Sequence, residues 1–163
     1  MVMPSFPLRR TILTLAVAVV VVAGAAGFAW YQADRAGARA DARHGARLAA
    51  TAAAQAIFSY DYRTFDTGVT KAKAYVTGPF AKEYAQTTAS LKATATKEQA
   101  VVQAQVSSTG VIGGTGDKVD LLVYLDQYRR NTNVSGEKVD QNRVVLTMVR
   151  VGRTWKVSAA SAI

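Results

Sequence analysis

The stretch Lys118-Val119-Asp120-Leu121-Leu122-Val123-Tyr124-Leu125-Asp126 alternates with a period of two. Val119, Leu121, Val123 and Leu125 point to one side, while Lys118, Asp120, Tyr124 and Asp126 fall on the other. A strand of this kind has one buried face, so its sheet must be covered on that side. Towards the C-terminus, Asn131 to Glu137 is a polar loop containing Gly136, and Val139 to Val151 is a strand that buries Val144, Leu146 and Met148. Gly152-Arg153 suits a two-residue type II′ hairpin, after which a last strand carries Trp155, Val157 and Ala159 inward. Towards the N-terminus, Gly113-Gly114-Thr115-Gly116-Asp117 makes a turn and Val101 to Ile112 a further strand. Four antiparallel strands are expected.

Before Gln99 the spacing becomes helical. Leu48 to Phe58 predicts an alanine-faced helix, since small side chains let a helix lie close to a sheet. Ser59 to Asp66 is an aromatic and charged junction; Asp66 or Thr67 can cap a short helix through about Val76, stopped by Gly78-Pro79. A third helix runs from Phe80 to about Glu98, with Phe80, Tyr84, Leu91 and Ala95 near one face and Thr87 or Thr88 completing it. Three helices followed by four strands predict an α+β layer, with helices on one face of an antiparallel sheet.

Further upstream, the chain carries no charge from Thr11 to Ala33. As a helix this span would run about 34 Å, against about 30 Å of hydrocarbon. A membrane anchor over residues 11–31 is expected, with Ile12, Leu13, Leu15, Val19, Val20, Val21, Val22 and Phe28 in lipid and Trp30 at the headgroup boundary. A cleaved signal is the rival: Arg9 and Arg10 make a basic start, and Ala23-Gly24-Ala25 or Gly27-Phe28-Ala29 could be cut. The length of the apolar run favours the anchor. Counting basic residues leaves orientation open, because Arg9 and Arg10 precede the span and Arg35, Arg39, Arg43 and Arg47 follow it. The expected organisation is a short basic tail (1–10), the span (11–31), an Arg/Ala-rich stalk (32–47) and one α+β domain (48–163). Like charges at i,i+4 along the stalk, with Gly37 and Gly45, predict a marginal helix that bends at the glycines.

The net charge of +9 is dispersed without aromatic interleaving, which argues for solvated surface rather than nucleic-acid binding. With no Cys and one His, His44, the chain lacks the ligands of a usual zinc site, and Ser/His/Asp catalysis would need that same stalk residue. Gly110 to Gly116 is glycine-rich like a phosphate loop, but it joins two strands instead of opening a helix. Asn133-Val134-Ser135 fits a glycosylation sequon, which matters only in a eukaryotic secretory route. Asp61, Asp66, Asp126 and Asp140 are the candidate cavity bases; Asp126 alternates to the face opposite Leu121, Val123 and Leu125, and Asp61 and Asp140 read better as structural partners for Arg63 or Arg143. No catalytic, cofactor or metal site is expected.

Taken in order, the pieces resemble the Mce-associated membrane proteins of actinobacteria, small single-pass proteins linked to mammalian-cell-entry lipid importers. The matching segments are the charged tail, the apolar span, the Ala-rich helix, Ser59 to Asp66, Thr77-Gly78-Pro79-Phe80, Glu83-Tyr84, Val139 to Val144, and Trp155-Lys156-Val157-Ser158. The resemblance implies a cone-shaped, nuclear-transport-factor-2-like (cystatin-like) domain, as in the periplasmic scaffold subunit of type IV secretion systems. It also implies a cytoplasmic N-terminus, a domain outside the cytoplasmic membrane, and an accessory role in a Mce lipid importer, with importer subunits or a second copy as partners. On this reading Tyr60, Asp61, Tyr62, Phe65, Gly78, Pro79, Phe80, Asp140, Gln141, Asn142, Arg143 and Trp155 are family-motif or partner-contact residues, with Tyr60, Tyr62 and Phe65 foremost. Two alternatives are a module holding a lipid or small ligand and an assembly subunit of a secretion system. An enzyme would need a carboxylate pointing into the cone.

Overall fold

The computed structural model describes the backbone of residues 8–163 and side chains from residue 23 onward. The expected anchor residues Ile12, Leu13, Leu15, Val19, Val20, Val21 and Val22 therefore lie outside the described side chains. Helix α1 spans Leu8–Phe58. Among the described residues no helix is long and apolar enough to cross a membrane.

The chain forms two compact units, dividing after Arg39. In the first, Phe28, Trp30 and Tyr31 are exposed, and the Arg35 guanidinium sits 4.3 Å from the centre of the Tyr31 ring. Helix runs unbroken through Gly37 and Gly45. Two glycines cost about 1 kcal/mol each relative to Ala, which the surrounding alanines and, past Ala40, tertiary packing offset.

In the second unit α1 is followed by β1 (Tyr60–Asp61), a 3-10 turn (Tyr62–Thr64), α2 (Phe65–Lys73), α3 (Gly78–Lys97), β2 (Val101–Gly114), β3 (Lys118–Arg130), β4 (Lys138–Val151) and β5 (Thr154–Ala162). The strands form one antiparallel meander in the order β1-β2-β3-β4-β5. Five strands stand where four were expected. The extra one, β1, is two residues long and pairs Tyr60 with Val102, too short to leave any alternation in the sequence.

The core follows the period-two reading. Val119, Leu121 and Val123 lie directly opposite Met148, Leu146 and Val144, and with Leu125 they are at most 5% exposed. Onto this face α1 lays Ala46, Ala50, Ala53, Ala54 and Ile57, while α3 contributes Phe80, Tyr84 and Thr88. Ala42 is already fully buried, so the stretch expected as stalk is packed helix from there on. Phe65, Ala95 and Ala100 make a smaller second core.

Three local expectations shift. Ala159 is exposed and Ala160 packs on the core instead, because a bulge opposite Thr147/Met148 inserts Ser158 and reverses the alternation. Helix α2 starts at Phe65 after Thr64, which makes no side-chain cap, and ends at Lys73; Asp66 lies in its first turn. Gly78-Pro79 opens α3 rather than closing α2, with Pro in the first turn where its missing N–H costs nothing.

The glycine-rich stretch is a strand end and a turn, as its flanks implied. Gly114 has φ +135°, and a Cβ there would lie 2.3 Å from the Lys118 carbonyl oxygen, so no side chain fits. Strand β2 also carries bulges between Val106 and Ser108 and between Val111 and Gly113. At the opposite edge the Tyr75–Thr77 connector pairs with β5: Val157 N–H donates to the Tyr75 carbonyl at 2.8 Å and Thr77 N–H to the Val157 carbonyl at 2.9 Å.

Trp155 links helix and sheet. A Cβ on Gly45 would stand 3.1 Å from its indole nitrogen, and the Arg150 guanidinium covers the ring at 4.9 Å. Gly45→Leu should displace the indole and cost about 1–3 kcal/mol, the usual range for overpacking. Chemical denaturation gives the cost; in a Trp30→Phe background, Trp155 emission should move to the red.

Candidate functional site

Helix α1 ends at Phe58, yet the sheet continues beyond it, and the residues lining the sheet there are small: Ala160, Ser161 and Ala162. Between this part of the sheet and α3 lies a half-open cavity of about 340 Å³. Ile57 and Phe58 form one wall, Tyr60, Phe65 and Val69 another, and Phe80, Tyr84, Thr88 and Leu91 of α3 the roof. Polar groups are few. The Thr88 hydroxyl donates back to the Tyr84 carbonyl at 2.8 Å. The hydroxyls of Tyr60 and Tyr84 have no hydrogen-bond partner among the described residues, although Tyr84 is only 7% exposed. Burial pushes both phenols above their ordinary value; at Tyr60 the nearby Arg129 charge opposes this. Glu83 is the one carboxylate on the lining; it is exposed, and no Lys or Arg lines the cavity.

A polar ladder borders the cavity. Asn142 Nδ2 donates to Gln127 Oε1 at 2.6 Å, and Gln127 Nε2 donates to the Phe58 carbonyl at 3.2 Å, tying β4 through β3 to the end of α1. Beside it, Gln141 donates to Asp126 at 3.2 Å, and Asp140 pairs with Arg129 at 3.3 Å rather than with Arg143. Ser59 Oγ accepts the Ala104 N–H at 2.8 Å, holding the start of β2.

Asp61 caps the 3-10 turn by accepting the Arg63 N–H at 2.9 Å and pairs with the Arg63 guanidinium. Asp66 pairs with Lys92 at 2.6 Å. None of the four weighed aspartates lines the cavity. Phe65 is 5% exposed and meets Tyr60 edge-on with ring centres 5.8 Å apart. Tyr62 is half-buried, beside Arg63. Phe80 and Trp155 pack on the core, whereas Gly78, Pro79 and Asp140 to Arg143 are exposed. The structure thus brings Tyr60, Phe65 and Phe80 to the cavity and leaves the β4 group on the surface.

Tyr84, Thr88 and Gln127 were not singled out as site residues. Gln127 had a signal: it continues the inward series Val119, Leu121, Val123, Leu125, and the change from apolar to polar marks where the core opens. Among the described residues no group of three or more His, Cys, Asp or Glu could hold a metal ion.

The Arg63 hydrogen bond lowers the Asp61 pKa. A carboxylate held low in the fold contributes stability above its unfolded pKa of about 3.9, and that contribution is lost as pH falls through the lower folded value. Asp61→Asn should therefore flatten the stability profile below about pH 4, read from denaturation midpoints, and leave its alkaline side unchanged.

No family model matches the chain, and no curated protein matches it. Several solved structures do. An IcmL-like type IV secretion system protein from Legionella pneumophila aligns at TM-score 0.60 and 17% identity, over 72% of this chain and 88% of its own. CagV, a VirB8 homologue of the type IV system of Helicobacter pylori, gives 0.58 and 10%, over 71% and 94%. The periplasmic domain of DotI gives 0.57 and 16%, over 72% and 91%. The fold is the nuclear-transport-factor-2-like α+β fold of the VirB8 homologues, with helices packed on an antiparallel sheet. A Novosphingobium aromaticivorans protein, named provisionally as an aromatic ring hydroxylase, shares it at TM-score 0.51 and 13% identity, over 72% and 93%. The fold is thus shared by proteins with different functional names and does not by itself fix a function.

These findings overturn the resemblance to Mce-associated proteins, and they lend no support to a Mce importer, its subunits as partners, lipid import or an actinobacterial origin. The physical reason lies in the motifs. Phe65, Phe80 and Trp155 fill cores and Asp61 caps a turn. Packing and capping roles of this kind do not mark one family.

Proposed function

We propose that the chain is a non-catalytic assembly subunit of an envelope-spanning secretion-type complex, tethered by residues 11–31 with its α+β unit outside the cytoplasmic membrane. The observation that carries this reading is the alignment of this chain along 88–94% of two proteins named for type IV secretion and of the periplasmic domain of DotI. The chemistry of the surface supports it. The acids weighed as bases are engaged in pairs with Arg, Lys or Gln, leaving the exposed β4 ladder and the rims of α2 and α3 for contacts. A tether raises the effective concentration of such a surface near membrane partners, so weak contacts suffice. Self-association through the same unit belongs to this proposal.

Because the chain has no Cys, single cysteines at Ser5 and Ser135 report topology cleanly. A membrane-impermeant thiol reagent on intact cells should label Ser135→Cys and spare Ser5→Cys; the reverse pattern overturns the extracytoplasmic placement. On native gels of gently solubilised membranes, the 17.3 kDa chain should migrate within a complex several times its mass, which is lost when residues 40–163 are deleted. Migration as a free chain overturns the assembly role.

A further inference from the structure

The cavity beneath α3 plays no part in the assembly reading, and its chemistry is one-sided. We propose that it binds an uncharged, single-chain lipid-like molecule carrying a hydrogen-bond-accepting ester or carbonyl. The inference does not rest on the assembly function.

Size and shape come first. About 340 Å³ lies within the range of small-ligand pockets. Its roof extends along α3 from Phe80 to Leu91, about 16 Å of helix, so the space is long and narrow and suits one hydrocarbon chain better than a fused ring system. The walls are mainly apolar side chains, which offer ordered water few of the two to four partners it needs.

Polarity then sets the head group. Tyr84 is more than nine-tenths buried, lines the cavity, and has no protein partner for its hydroxyl among the described residues. Among the described residues no buried side-chain oxygen is sealed off without a partner, so this hydroxyl reaches open space, and its side chain lines the cavity. Phenols are donors to a carbonyl or ester oxygen. A carboxylate head would meet Glu83 with no lining Lys or Arg to neutralise it, which selects a neutral ligand over a fatty-acid anion.

The full chain in phosphatidylcholine nanodiscs can be photolabelled with a diazirine-bearing sixteen-carbon monoacylglycerol, supplied either in the same disc or on albumin in solution. Crosslinks should concentrate on the peptide containing Phe80 to Leu91. Labelling from the same disc alone assigns the chain to a bilayer lipid, and labelling in both arms to a diffusible monoester; either supports the site. Tyr84→Phe should lower labelling about fivefold, the effect of one hydrogen bond, and Ala160→Phe should abolish it by filling the space. Where Ala160→Phe fails to fold, as judged by circular dichroism, Tyr84→Phe decides. Crosslinks spread evenly over the chain, undiminished labelling of Tyr84→Phe, or equal labelling by the matching palmitate probe would overturn the proposal.

Discussion

The close approach of an alanine-faced helix to a strongly apolar sheet is the contact on which the α+β unit depends. Ala46, Ala50, Ala53 and Ala54 are fully buried against a face built from Leu121, Leu146 and Met148, with Val119 and Val123 beside them. A methyl group lets the helix backbone come near while the longer strand residues supply the apolar area. The same economy of size recurs where Gly45 meets the edge of the Trp155 indole. Any larger side chain along this stripe would lift the helix and loosen every layer beneath it.

Much of this was legible from residue spacing. Alternation in Val119 to Leu125 and in Val144 to Met148 placed the inner face of the sheet correctly, and Phe80, Tyr84 and Ala95 marked the buried side of α3. What escaped depended on events without a periodic signature. A two-residue strand has no period, a bulge reverses alternation partway along β5, and Thr64 begins α2 without a capping side chain. The packed part of α1 was underestimated because Arg43 and Arg47 read as stalk, although Ala42 and Ala46 between them carry the contact.

The site was less legible than the fold. A cavity is created by where a helix stops and by how small the opposite residues are, and neither is written at one position. Phe58 ends α1, Ala160 and Ala162 keep the sheet low, and the space appears between them. Only Gln127, a polar residue continuing an apolar series, hinted at it. The motif order that suggested one family led to the right architecture and the wrong ancestry, since residues that fill a core or cap a turn report on the fold and not on one family.

Strand β2 has a further consequence for solubility. From Gln99 to Gly116 the chain has no charge, and β1 shields only the first two residues of the strand, with the Ser59 hydroxyl engaging one more amide. Such a margin invites templated stacking of copies into fibrils. The two interruptions at Ser107 and Ile112 contort the remaining margin so that a straight neighbour cannot zip along it. Irregularity in this strand thus does the protective work that lysines do in others.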